Sequence, residues 1–127
     1  MARPANRELT DRELDVMHVY WKCGEITAIE ARDALAAAGN DNAYVTVANL
    51  TRILVEKGYL EAVNAQRPFR YRAIRSFDDT ARSFVGDLVQ RVFQGSREQL
   101  LVNVFDRRKR LTAKERALLE QILKEQT

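Results

Sequence analysis

Thr46, Asn49 and Arg52 follow one another at three-residue intervals in the stretch YVTVANLTRILVEKGYL, residues 44 to 60. On a helix that spacing keeps all three on one side. An amide offers a donor and an acceptor together and a guanidinium offers a fork of donors, the groups that pair with adenine and guanine edges in a DNA major groove. Tyr44 and Val45 stand at the entry to the same helix, where Val45 or Thr46 would meet a thymine methyl. A helix cap is an equal reading of Thr46. Between residues 52 and 75, six basic residues (Arg52, Lys57, Arg67, Arg70, Arg72, Arg75) stand against two acidic ones (Glu56, Glu61). Such an excess suits a polyanion, the alternative being a solvated basic face.

Other chemistry is poorly provided for. The single cysteine, Cys23, rules out an internal disulfide, and the single histidine, His18, leaves too few ligands for a metal cluster. No glycine-rich phosphate loop is present. The expectation is therefore a non-enzymatic protein with no catalytic residue, metal or cofactor.

The elements that would position these side chains are legible from their starts. Capping boxes, in which a Thr hydroxyl bonds the amide three residues on while an acid reaches back, fit Thr10 to Glu13, Thr27 to Glu30 and Thr112 to Glu115. Ser76 to Asp79 and Ser96 to Gln99 are weaker versions. The first helix, about 11 to 22, carries Leu14, Met17, Tyr20 and Trp21, and the second, about 28 to 38, presents Ile29, Ala31, Leu35 and Ala38. The third, about 45 to 57, turns Val47, Leu50, Leu54 and the edge of Val55 inward and stops at Gly58.

Beyond Gly58 the period changes to two. YLEAV and FRYRAI alternate around the turn NAQRP, with Phe69, Tyr71 and Ala73 on one face, Arg70 and Arg72 on the other, and Arg67 near the tip. Three helices and a basic hairpin give a winged helix-turn-helix over residues 1–75. The fold class is mainly α (α+β), with a helical dimerisation domain expected over residues 76–127. Its apolar stripes include Phe84, Leu88 and Val92, then Leu101 and Phe105, then Leu119 and Ile122. A second subunit is the simplest cover for them, packing against the first domain being the alternative. The cluster DRRKR, residues 106 to 110, reads as a solvated loop rather than a contact to operator flanks.

The chain has 127 residues and a net charge of +3, with 46% hydrophobic and 31% charged residues, the balance of a soluble folded protein. No apolar run long enough to span a bilayer and no signal-peptide pattern occurs, so a cytoplasmic protein without membrane insertion is expected.

LTDRELDVMHVYW, with its E-x-x-V-M-x-x-x-W frame, and AYVTVANLTRILVEKGYL, with its T-V-x-x-x-x-x-x-L-x-x-K-G-Y-L frame, resemble the penicillinase-repressor family of winged-helix transcriptional repressors. FRYRAI as wing strand and the helical LLVNVFDRRKRLTAKERALLEQIL extend the resemblance over nearly the whole chain. It implies a homodimer on a palindromic double-stranded DNA operator, of a β-lactam-response or cell-envelope type linked to antibiotic resistance. In several members it also implies release when a membrane-bound sensor metalloprotease system leads to cleavage in the dimerisation helices, here around Asn103, Val104 and Phe105. Members with that switch place Asn directly before Phe, whereas Val104 intervenes here. The C-terminal cysteines of the copper-responsive branch are absent. Ile53 stands where the family usually has a basic residue. Thr51 stands where it usually has an apolar one, and its hydroxyl at that site calls for a backbone partner. A winged-helix protein-interaction module without sequence-specific DNA binding is the alternative function.

Overall fold

The computed structural model describes residues 9–105 and 108–126. Asp106 and Arg107 of the DRRKR cluster lie outside the described residues. The order of elements is α1 (Asp11–Cys23), β1 (Ile26–Thr27), α2 (Ala28–Ala37), α3 (Tyr44–Glu56), β2 (Leu60–Ala62), β3 (Arg70–Ala73), α4 (Phe77–Arg91), α5 (Arg97–Val104) and α6 (Ala113–Glu125). The chain divides into two compact units, Met1–Phe84 and Val85–Thr127.

All three strong capping boxes form, at Thr10, Thr27 and Thr112. The Ser76 and Ser96 hydroxyls accept from the Asp79 and Gln99 amides, at 3.0 and 3.2 Å. Helix α3 ends at Gly58, where φ is +84°. There the Tyr59 amide donates to the Leu54 carbonyl at 2.9 Å and the Gly58 amide to that of Val55 at 3.1 Å. This pair of bonds needs a left-handed residue at Gly58, and it brings the buried Tyr59 back over the buried Leu54.

The core of the first unit joins Val16, Met17 and Tyr20 of α1, Ala31 and Leu35 of α2, Val47 and Leu54 of α3, and Tyr59 and Leu60. It departs from the expected stripes in several places. Val16 and Val19 are buried while Leu14 and Trp21 are half-buried, and Ile29 and Ala38 are exposed. On α3 the inward positions are Val47, Thr51 and Leu54, with Leu50 half-buried and Val55 exposed. A threonine holds an inward slot because its hydroxyl shares a 3.2 Å hydrogen bond with the Tyr20 hydroxyl. The partner is thus a side chain, not the backbone group expected. Burial pushes the Tyr20 hydroxyl pKa up to about 12 despite that bond.

The hairpin has a third strand that periodicity does not show. Strand β1 pairs with β3 (Ile26 opposite Tyr71, Thr27 opposite Arg70), so that β3 lies between β1 and β2 in an antiparallel sheet. Two residues carry no measurable alternation, which is why the sequence is silent about β1. On the other side of β3, Glu61 lies opposite Arg72.

In the second unit no residue of α5 or α6 is buried. Leu101, Val104 and Ile122 are 52%, 62% and 45% exposed. Val104, Phe105, Leu111, Leu118, Leu119 and Ile122 line an open groove of about 600 Å³. Among the described residues no helix is long and apolar enough to cross a membrane.

Candidate nucleic-acid interface

Helix α3 begins one residue earlier than its periodicity suggests. Ala43 is its N-cap and makes no side-chain cap bond. Thr46 therefore lies in the first turn, and the cap reading of that residue does not hold. Tyr44, Val45, Asn49 and Arg52 are exposed along this helix and Thr46 is half-buried. Val45, at 66% exposure, is the most open of its large apolar residues. Arg52 pairs with Glu56 one turn on, at 3.0 Å, with both side chains more than half exposed. A pair so solvated holds its arginine weakly.

The entry to α3 is tied down by a polar lattice that sequence reading missed. Arg12 donates to the Asn42 side-chain oxygen at 3.0 Å, Asn42 donates to the Asn40 side-chain oxygen at 3.0 Å, and Asn40 donates to Asp15 at 3.2 Å. At the other end, Lys57 meets Glu13 at 2.6 Å with side chains only 17% and 6% exposed. The same carboxylate accepts from the Thr10 amide at 3.0 Å. Lys57, one of the six cations that give the segment its basic excess, is therefore an internal strut between α1 and α3.

The wing loop is organised by Asn64, which donates to the Gln66 and Pro68 carbonyls (2.9 and 3.1 Å) and accepts from the Arg70 amide (2.8 Å). Its alternation is as expected, Arg70 and Arg72 being exposed while Tyr71 and Ala73 are half-buried. The Arg67 guanidinium lies 5.8 Å over the Phe69 ring, and among the described residues it is ion-paired with none. Arg70 donates to the Glu25 carbonyl at 2.8 Å and stands 3.6 Å from the Glu30 carboxylate. Arg72 bonds Glu61 at 2.7 Å and lies 4.0 Å from Glu25. Its pKa is raised, first by the Glu61 hydrogen bond and then by that carboxylate's charge. The Thr27 amide above all, with its hydroxyl and Arg70 behind it, holds the Glu30 carboxyl below its ordinary value. Arg75 leaves the wing to lie 5.9 Å over the Tyr59 ring, and its carbonyl accepts from the Trp21 indole at 3.0 Å.

Of the wing's carboxylates, Glu61 was readable as a cross-strand partner once the hairpin register is drawn. Glu30 was legible only as a cap. Glu25 gives no signal before β1 is known.

No curated protein sequence matches the chain. Among solved structures it is similar to the hsRosR-SG complex, with TM-score 0.51, 14% identity, and coverage of 97% of this chain and 96% of that one. The reduced form of Escherichia coli MarR gives TM-score 0.45 and 22% identity over 92% of this chain and 76% of that one. The oxidised form gives 0.47 and 22% over 93% and 75%. At 14% identity the likeness to hsRosR-SG is one of fold. Residues 9–125 match the penicillinase repressor family, covering both units and every side chain described above. With an exposed third helix beside a basic wing, and with that match along almost its whole length, this chain belongs to the penicillinase repressor family of winged-helix transcriptional regulators.

Proposed function

We propose that the chain is a homodimeric transcriptional repressor that reads a palindromic operator with α3 in the major groove and the wing on the flanking backbone. Residues 1–75 form the DNA-binding domain and residues 76–127 the dimerisation domain. The observation that carries this reading is the joint exposure of Asn49 and Arg52 on a helix whose entry side, Tyr44, Val45 and Thr46, is not closed by a side-chain cap. Asn49 is suited to adenine, Arg52 to guanine or phosphate, and Val45 or Thr46 to a thymine methyl. Arg67, Arg70 and Arg72 supply the wing's positive charge to the phosphates. The apolar faces of residues 76–127, with Phe84, Leu88, Val92, Leu101, Phe105, Leu119 and Ile122, are the surfaces that a second copy would cover. Two-fold symmetry then calls for half-sites about 10 bp apart or a small multiple of that.

The family further supports a β-lactam-response or cell-envelope regulon, action in the cytoplasm, and relief of repression by proteolysis in response to a membrane-bound sensor. Asn103, Val104 and Phe105 are exposed in the single chain where α5 ends, so a cut there would fall at the edge of the surface that the second copy covers and would undo the dimer.

Fluorescence anisotropy on the chain's own promoter region, against scrambled DNA of equal length across a salt series, tests the reading. Preference for the promoter with a steep salt slope is expected, and Asn49→Ala or Arg52→Ala should weaken promoter binding by about 1–3 kcal/mol. Equal binding to both DNAs, indifferent to the two substitutions, would refute base reading by α3. No binding at low salt would move the function to a protein partner docking on the basic hairpin.

A further inference from the structure

The basic excess of residues 52–75 is an excess along the chain, not in space. Glu13, Glu25 and Glu30 lie outside that window, yet the fold sets each against one of its cations: Glu13 on Lys57, Glu30 near Arg70 and Glu25 near Arg72. With Glu56 and Glu61 already inside the window, six cations meet five carboxylates. On the wing itself, Arg70 and Arg72 point away from the core side of the sheet, but Arg72 bonds the Glu61 carboxylate with Glu25 at 4.0 Å, and Arg70 donates to the Glu25 carbonyl with the Glu30 carboxylate 3.6 Å away. Among the described residues, Arg67 is held only over a ring.

These wing pairs differ in kind from the strut at Lys57. The Arg70 to Glu30 and Arg72 to Glu61 side chains are about half exposed, where water screens the attraction and either partner swings away at small cost. The two free oxygens of a backbone phosphate offer a guanidinium the same fork geometry as the two of a carboxylate. The two anions therefore compete for one donor set. We propose that Glu25, Glu30 and Glu61 are affinity-setting residues, which hold Arg70 and Arg72 in the free protein and give them up only as phosphate arrives, so that the wing binds DNA more weakly than its arginines alone would. The inference rests on the DNA-binding reading above. Because phosphates are the same in every sequence, such a brake lowers affinity for all DNA alike and leaves the discrimination made by α3 untouched.

The test uses the full chain and two duplexes of equal length, one enriched by the wild-type protein from a random pool and one that was not. Glu61→Gln should tighten binding to both by the same factor, about two- to fivefold at low salt, the worth of a half-exposed ion pair, and the gain should shrink as added salt screens that pair. Glu30→Gln should act likewise through Arg70, and it keeps the cap of α2 because glutamine also completes a capping box. Glu25→Gln lies outside every strand and serves if Glu61→Gln disturbs the sheet. In an Arg72→Ala background the gain from Glu61→Gln should vanish, since the carboxylate acts through that guanidinium. A gain that persists there would mean that Glu61 merely repels phosphate, and would overturn the inference. So would unchanged or weaker binding by Glu61→Gln and Glu30→Gln from a wild-type chain that does enrich a sequence. Failure of the wild-type chain to enrich any duplex would instead sink the DNA-binding reading, and the inference with it.

Discussion

The two units of the molecule bury their apolar residues in opposite ways. In the first, helices α1, α2 and α3 close on one another around Met17, Ala31, Val47 and Leu54, each fully or almost fully buried. In the second, α6 carries a comparable stripe and α5 has apolar residues spread around the helix, yet neither buries a residue. Burial of apolar surface is the main favourable term in folding. The first unit therefore contains what it needs to be stable. The second, by this proposal, acquires it from a second copy, and its order should depend on protein concentration while that of the first does not.

The sharpest way to break that contrast is to damage each unit separately. Leu54→Ala leaves a cavity in the first core and should cost about 2–5 kcal/mol. Lys57→Ala, which strands the Glu13 carboxylate at 6% exposure, should cost about 2–4 kcal/mol, the lower end allowing for the part of the lysine still in water. Chemical denaturation read by far-ultraviolet dichroism measures both, and neither loss should vary with protein concentration. Leu101→Asp or Ile122→Asp should leave that unfolding midpoint in place and convert a dimer to a monomer in sedimentation equilibrium. A monomeric wild-type chain at micromolar concentration would end the comparison.

A smaller effect sharpens what the first core tolerates. Thr51→Val leaves the Tyr20 hydroxyl buried without its partner and should cost about 1–2 kcal/mol. The alkaline limb of stability carries a related signature. The folded Tyr20 pKa is about 12 against an ordinary 10.0, so the folded state keeps a proton that the unfolded chain loses. Stability from this group is complete below pH 10 and is lost as pH rises from about 10 through about 12. Tyr20→Phe has no proton to lose and should flatten that limb, although the protein starts from lower stability because Thr51 then lacks its bond. An unchanged alkaline slope in Tyr20→Phe would show that other groups set it.

Much of this was legible along the chain. The five cap positions are where the spacing of Thr or Ser with a residue three positions on places them, and the change of period after Gly58 marks the hairpin. The outward placement of Arg70 and Arg72 follows from strand alternation alone. These features depend on residues within one turn or one strand of each other, and local hydrogen bonding and side-chain direction suffice for them. The exposure of Asn49 and Arg52 follows in the same way from helical period.

What only the tertiary structure decided is which group meets which. Glu13 was a capping residue, and it became the partner of Lys57, 44 positions away. Thr51 looked misplaced in a core until Tyr20, 31 positions away, supplied a hydroxyl. Glu25 and Glu30 lay outside the basic segment, and the pairing of β1 with β3 carried them to the wing arginines. Charges along a chain simply add, but their interaction falls off with distance in space. The sequence by itself therefore determined the elements, their caps and the faces they present, whereas the effective charge of the wing waited on the fold that brings distant carboxylates within bonding reach.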